Sequence, residues 1–81
     1  MESEKPINLI TLRFKDARKE LCMTQQDYAN HLGIKRSSVG AYEEGRALPS
    51  LEIIRQVMIL LQIPKEDTYD FLFNPSYEFN F

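Results

Sequence analysis

The stretch 25–45, QQDYANHLGIKRSSVGAYEEG, constrains the chain more than any other part of it. It follows Thr24, a residue suited to cap a helix, and carries Asp27 three places on. Thr-x-x-Asp is a short form of the capping box. Tyr28, Ala29 and Leu32 then fall inward on a helical spacing, and Gly33 stops the helix by taking a left-handed turn. A second helix starts near Lys35 and continues to about Glu44, with Val39 and Tyr42 inward and Gly45 at its end. Ala29 is small enough for the second helix to cross close to it. Val39 and Tyr42 anchor that helix on the core and leave its opposite face free.

The flanking segments also read as helices. Ile10, Phe14, Ala17 and Leu21 lie on one face of a helix that starts at residue 7 or 9 and ends at 21. Leu21-Cys22-Met23 makes the connection. Leu48-Pro49-Ser50 is a break, and Ser50 caps a fourth helix over 51–61. Leu51, Ile54, Val57, Met58 and Leu61 form its apolar face, and Glu52, Arg55 and Gln56 its polar stripe. Ile59 falls inside that stripe, which a solvated face does not explain. Pro64 opens a fifth short helix that runs to about Phe73, and Asn74-Pro75 closes it. Residues 76–81 alternate polar and aromatic. That is a strand period, with Tyr77, Phe79 and Phe81 on one face. The expected architecture is all-α: a polar segment over 1–8, a five-helix domain over 9–74, and an aromatic extension over 75–81.

Composition removes several alternatives. At 81 residues this is one small domain, which buries about 60% of the surface its unfolded chain exposes. It has one cysteine, Cys22, where a small secreted domain usually needs disulfide staples, so the expected compartment is the cytoplasm. The apolar-rich stretch 53–63 is about half the length of a membrane span. No enzyme chemistry is legible. His31 has no second histidine near it, and Cys22 reads as a turn residue. Glu43 and Glu44 are adjacent on a helix and point about 100° apart, so they form no acid/base pair. No metal, cofactor or small-molecule ligand domain is expected.

Charge is polarised along the chain. The net charge is −2, which by itself argues weakly against nucleic acid. Residues 13–46 nevertheless carry +2, against −1 for residues 1–12 and −3 for 47–81.

The spacing of Ala29, Gly33, Val39 and Tyr42 is that of a helix-turn-helix, here over about 25–44. From Leu12 to Phe73 the sequence resembles the Cro/repressor-like (XRE-type) helix-turn-helix family. The matching stretches are LCMTQQDYA (21–29), LGIKRSSV (32–39) and YEEGRALPSL (42–51). The resemblance implies a five-helix domain that binds double-stranded DNA, usually as a dimer. It places Gln25 at the start of the second helix, facing phosphate. Lys35, Arg36 and Ser37 fall at the N-terminal end of the recognition helix, Gly40 and Ala41 on its next outward turn, and Arg46 in the loop beyond. Arg18 and Glu43 match a pair that ties the first helix to the end of the third.

The chemistry of those residues agrees with the implied roles. A helix N-terminus suits a phosphate. The Arg36 fork fits O6 and N7 of guanine, and the Ala41 methyl fits thymine. Gly40 permits close backbone approach. The sequence departs from the family pattern in having Lys35 at a usual capping position, Cys22 at a frequent turn glycine and Tyr28 at a frequent leucine. A second reading is a protein-interaction module, such as an antitoxin or adaptor, that uses the same fold. The acidic C-terminal half and the aromatic tail motivate it. The tail either packs on its own domain or, with Ile59, forms a dimer interface through Tyr77, Phe79 and Phe81.

Overall fold

The computed structural model describes residues 9–79. The polar segment 1–8, Asn80 and Phe81 lie outside the described residues. Five α-helices follow one another: α1 (Leu9–Glu20), α2 (Gln25–Leu32), α3 (Arg36–Glu43), α4 (Leu51–Leu60) and α5 (Thr68–Phe73). A single 3₁₀ turn, Lys65–Asp67, leads into α5. Among the described residues there is no strand. The chain has the all-α, repressor-like architecture.

Local chemistry sets the helix ends. Thr24 Oγ1 accepts from Asp27 N at 3.0 Å, and Asp27 Oδ2 accepts from Thr24 N at 3.4 Å, so the capping box at α2 is complete. Ser50 Oγ accepts from Ile53 N at the start of α4. Lys35 gives α3 no side-chain cap.

The C-termini share one device. Each of α1 to α4 ends in a left-handed residue flanked by two backbone bonds that reach back into the helix, the Schellman arrangement. The left-handed residues are Cys22 (φ 57), Gly33 (φ 69), Gly45 (φ 79) and Gln62 (φ 60). At α1 the bonds are Cys22 N to Lys19 O and Met23 N to Arg18 O. At α4 they are Gln62 N to Ile59 O and Ile63 N to Met58 O. Two of the four positions thus use a residue with a β-carbon in a conformation that strains it.

Phe14, Ala17, Tyr28, Ala29, Val39, Val57 and Phe71 are fully buried and draw α1 to α5 around one core. Phe14 sits at its centre. Its ring centroid lies 4.8 Å from Tyr28 and 5.4 Å from Tyr42, the latter edge-on. Full burial of a large apolar side chain contributes about 1.5–3 kcal/mol. The Tyr28 hydroxyl donates to Phe14 O at 2.8 Å, so a polar tip is buried without loss.

The structure corrects three sequence expectations. Leu51, expected inward, is 73% exposed. It sits in the first turn of α4, beyond the reach of the core that holds Ile54, Val57 and Met58. The fifth helix does not run unbroken from Pro64: Pro64 caps the 3₁₀ turn, and Thr68 Oγ1 donates to Lys65 O at 2.7 Å where α5 begins. The described part of the tail is not a strand. Ser76 N donates to Asn74 Oδ1 and Tyr77 N to Asn74 O, which turns the chain back at Pro75. Tyr77 and Phe79 then meet Phe71 edge-on, with centroids 5.8 and 6.1 Å away. A lone extended segment has no ladder partner for its backbone, whereas a turn onto α5 gives these rings an apolar surface.

Candidate nucleic-acid interface

The hinge between α2 and α3 fixes the site. Gly33 is left-handed, and Ile34 N reaches back to Ala29 O at 3.0 Å. Ala29 is fully buried beneath the crossing, and Val39 fastens α3 from its inner side. The outward surface of α3 is thereby held in a set direction.

Three polar side chains brace this unit from within. Arg18 Nε lies 2.7 Å from Glu43 Oε2 and its second terminal nitrogen 3.1 Å from Glu43 Oε1, a two-pronged pair. The remaining Arg18 nitrogen donates to Met23 O at 3.0 Å. The Glu43 side chain is only 3% exposed. Gln25 Nε2 donates to Glu43 Oε1 at 3.1 Å. One carboxylate therefore joins α1, the first residue of α2 and the last turn of α3. Bonding to Glu43 raises the Arg18 pKa further, against the opposing effect of burial, so the guanidinium stays charged.

The outer surface looks different. Lys35, Arg36 and Ser37 are all exposed at the N-terminal end of α3. None of the three has a side-chain hydrogen bond or ion pair among the described residues. The N-terminus of α3 also leaves backbone N–H groups unpaired, with a partial positive charge. A β-carbon built at Gly40 meets nothing within 4 Å, so that turn of α3 faces open space. Ala41 is half-buried, and its carbonyl accepts from Arg46 N at 2.9 Å. Arg46 pairs with Glu44 at 2.8 Å. Both partners are about 60% exposed, and such a surface pair is worth about 0.2–1 kcal/mol. A competing phosphate can therefore replace Glu44 at little cost.

The sequence-predicted residues thus fall into two groups. Lys35, Arg36, Ser37, Gly40 and Arg46 share the outer side of α3 and the loop after it. Gln25, Arg18 and Glu43 form the brace behind that surface. Ile59 lies elsewhere, 57% exposed on α4. Tyr77 and Phe79 lie against α5.

Sequence reasoning does not find Arg13. It is 6% exposed, its guanidinium donates to Asn74 O, and it lies 5.9 Å from the centroid of the Tyr77 ring. Its only sequence signal is its place beside Phe14, one step off the apolar face.

A protein-family profile described as helix-turn-helix matches residues 14–67 of this chain. No curated protein and no solved structure matches it. The matched span contains the brace, both helices of the hinge and the α3 surface. Among the described residues no helix is long and apolar enough to cross a membrane.

Proposed function

The chain belongs to the Cro/repressor-like (XRE-type) helix-turn-helix family, and from that premise we propose that it binds a roughly palindromic duplex site as a homodimer and represses transcription by occupying a promoter. A DNA-binding regulator is what the family match supports in general. The observation that supports the finer reading is the free outer surface of α3: three exposed polar side chains without internal partners, carried on a helix whose inner side is locked to the core.

Each residue has a role in this reading. The N-terminal end of α3 enters the major groove. Arg36 takes a guanine edge, and one such contact discriminates by about 1–3 kcal/mol. Ser37 reaches a base or a phosphate, and Ala41 meets a thymine methyl. Gly40 lets the backbone approach. Lys35 and Arg46 neutralise phosphates, and Gln25 orients one at the start of α2. Two copies set their recognition helices about 34 Å apart in successive grooves. Ile59 supports contact between copies. The tail aromatics Tyr77, Phe79 and Phe81 remain the other proposed contributors to it. The domain works as a regulator in the cytoplasm, without a catalytic step.

The test is selection from randomised duplex DNA, with wild type and Arg36→Ala in parallel. Wild type is expected to enrich a two-fold symmetric consensus with half-sites about one helical turn apart. Arg36→Ala is expected to fold normally and lose preference at one base pair per half-site. Absence of enrichment by wild type at low salt would overturn the DNA reading in favour of a protein-binding role.

A further inference from the structure

The outer stripe of α5 leaves two aromatic rings in water. Tyr69 is 73% and Phe73 47% exposed, and their ring centroids lie 5.0 Å apart. A single exposed apolar side chain is ordinary, but two rings in contact make a contiguous patch. Two carboxylates share the stripe. Glu66, Tyr69, Asp70 and Phe73 recur at steps of three and four residues, from the 3₁₀ turn into α5. Helical neighbours at that spacing stand about 5–6 Å apart at their β-carbons. Glu66 and Asp70 are exposed, and neither has a side-chain hydrogen bond or ion pair among the described residues. Lys65 is the one base in residues 61–81, against Glu66, Asp67, Asp70 and Glu78. It lines the groove beside α4 with Met58 and Thr68.

The charge on this stripe decides what can cover it. A nucleic acid or an anionic bilayer would bring phosphates against Glu66 and Asp70, so neither accounts for the bare rings. A second copy packed on the same stripe about a two-fold axis would set carboxylates beside carboxylates. A cation suits all four side chains. A guanidinium stacks on a ring face and still offers N–H groups to a carboxylate beside it, a combination that an ammonium makes less well. We propose that the α5 stripe docks an arginine-bearing basic segment of a different polypeptide, with the guanidinium on Tyr69 and Phe73 and its N–H groups on Asp70 and Glu66. This site is on a different helix from the side chains assigned to DNA and does not rest on the DNA reading.

The test uses the full chain and three synthetic peptides, in which serine alternates with arginine, lysine or glutamate. Nuclear magnetic resonance at low salt follows the Tyr69 and Phe73 ring signals and the amides of residues 66–73. The arginine peptide is expected to shift them, the lysine peptide to bind several-fold more weakly and the glutamate peptide not to bind. Tyr69→Ala should weaken the arginine peptide about two- to fivefold, the size of an exposed cation–π contact. Asp70→Asn should weaken it by a similar factor. Tyr69→Phe keeps a ring and Asp70→Glu keeps a charge, so both should bind as wild type does. Tyr69 and Asp70 are exposed, so thermal unfolding of the variants and their binding to duplex DNA should match wild type. Rings that stay unmoved by the arginine peptide overturn the proposal. Equal binding of the arginine and lysine peptides, undiminished in Tyr69→Ala, is diffuse charge attraction and overturns it too. Ring signals that shift with protein concentration alone would give the stripe to a second copy and also overturn it.

Discussion

Tyr28 shows how much one side chain can carry in a domain this small. Its ring packs on Phe14 in the core, and its hydroxyl uses the Phe14 carbonyl. Burial pushes its pKa up, with the Glu43 charge adding to the effect and Arg18 opposing it. The Tyr77 phenol is raised too, by burial first and then by Asp67 and Asp70. The folded chain therefore keeps both protons at a pH where the unfolded chain releases them. Stability from these groups is complete below about pH 10 and is lost as the pH rises beyond it. Tyr28→Phe should cost about 1 kcal/mol at neutral pH through the lost hydrogen bond. The same variant should lose stability less steeply than wild type above about pH 10. Urea unfolding at about pH 8 and about pH 11, on either side of the ordinary tyrosine value, measures both effects.

At the scale of elements, the helix ends carry the argument. Cys22 and Gln62 hold the left-handed cap position that Gly33 and Gly45 hold elsewhere. Neither side chain is buried, so a glycine would forfeit no packing. Left-handed strain costs about 1–2 kcal/mol per residue, and glycine returns part of that as lost chain entropy. Cys22→Gly and Gln62→Gly are each expected to stabilise by about 1 kcal/mol. The double variant should add the two, since the caps share no partner. A rise in the urea midpoint at constant slope checks this.

The same elements show how much of the fold is legible in the sequence. The α2 capping box, the Gly33 stop and the Ser50 cap each depend on residues within a few positions, and those are visible in the chain. Leu51 departs from its expected place because helical spacing fixes a side chain's direction but not how far the core extends along the helix. The tail departs from a strand because alternation makes one only where a ladder partner exists, and Asn74 turns the chain before one is met. Lys35, Arg36 and Ser37 are legible as a group because the hinge around Gly33 sets their direction. The bond from Gln25 to Glu43 is not, because it joins residues 18 positions apart and follows from the crossing of two helices.

At the scale of the whole molecule, the division of surfaces matters most. The chain carries a net −2, yet Lys35 and Arg36 stand together at the start of α3 without an acidic partner among the described residues. Residues 47–81 carry a net −3, because Arg55 and Lys65 are their only bases. In the proposed reading a phosphate backbone on the α3 side meets Lys35, Arg36 and the N-terminus of α3, and binding should weaken as salt rises. The described part of the aromatic tail lies against α5 and over Arg13.

The central claim is that the α3 surface meets DNA. Mapping backbone amide shifts by nuclear magnetic resonance, while duplex DNA is added at low salt, tests it most directly, because non-specific duplex binds through the same phosphate contacts. The account predicts the largest changes at Gln25, across residues 35–41 and at Arg46. Amides at those positions that stay unmoved under saturating DNA, whatever else shifts, would contradict it.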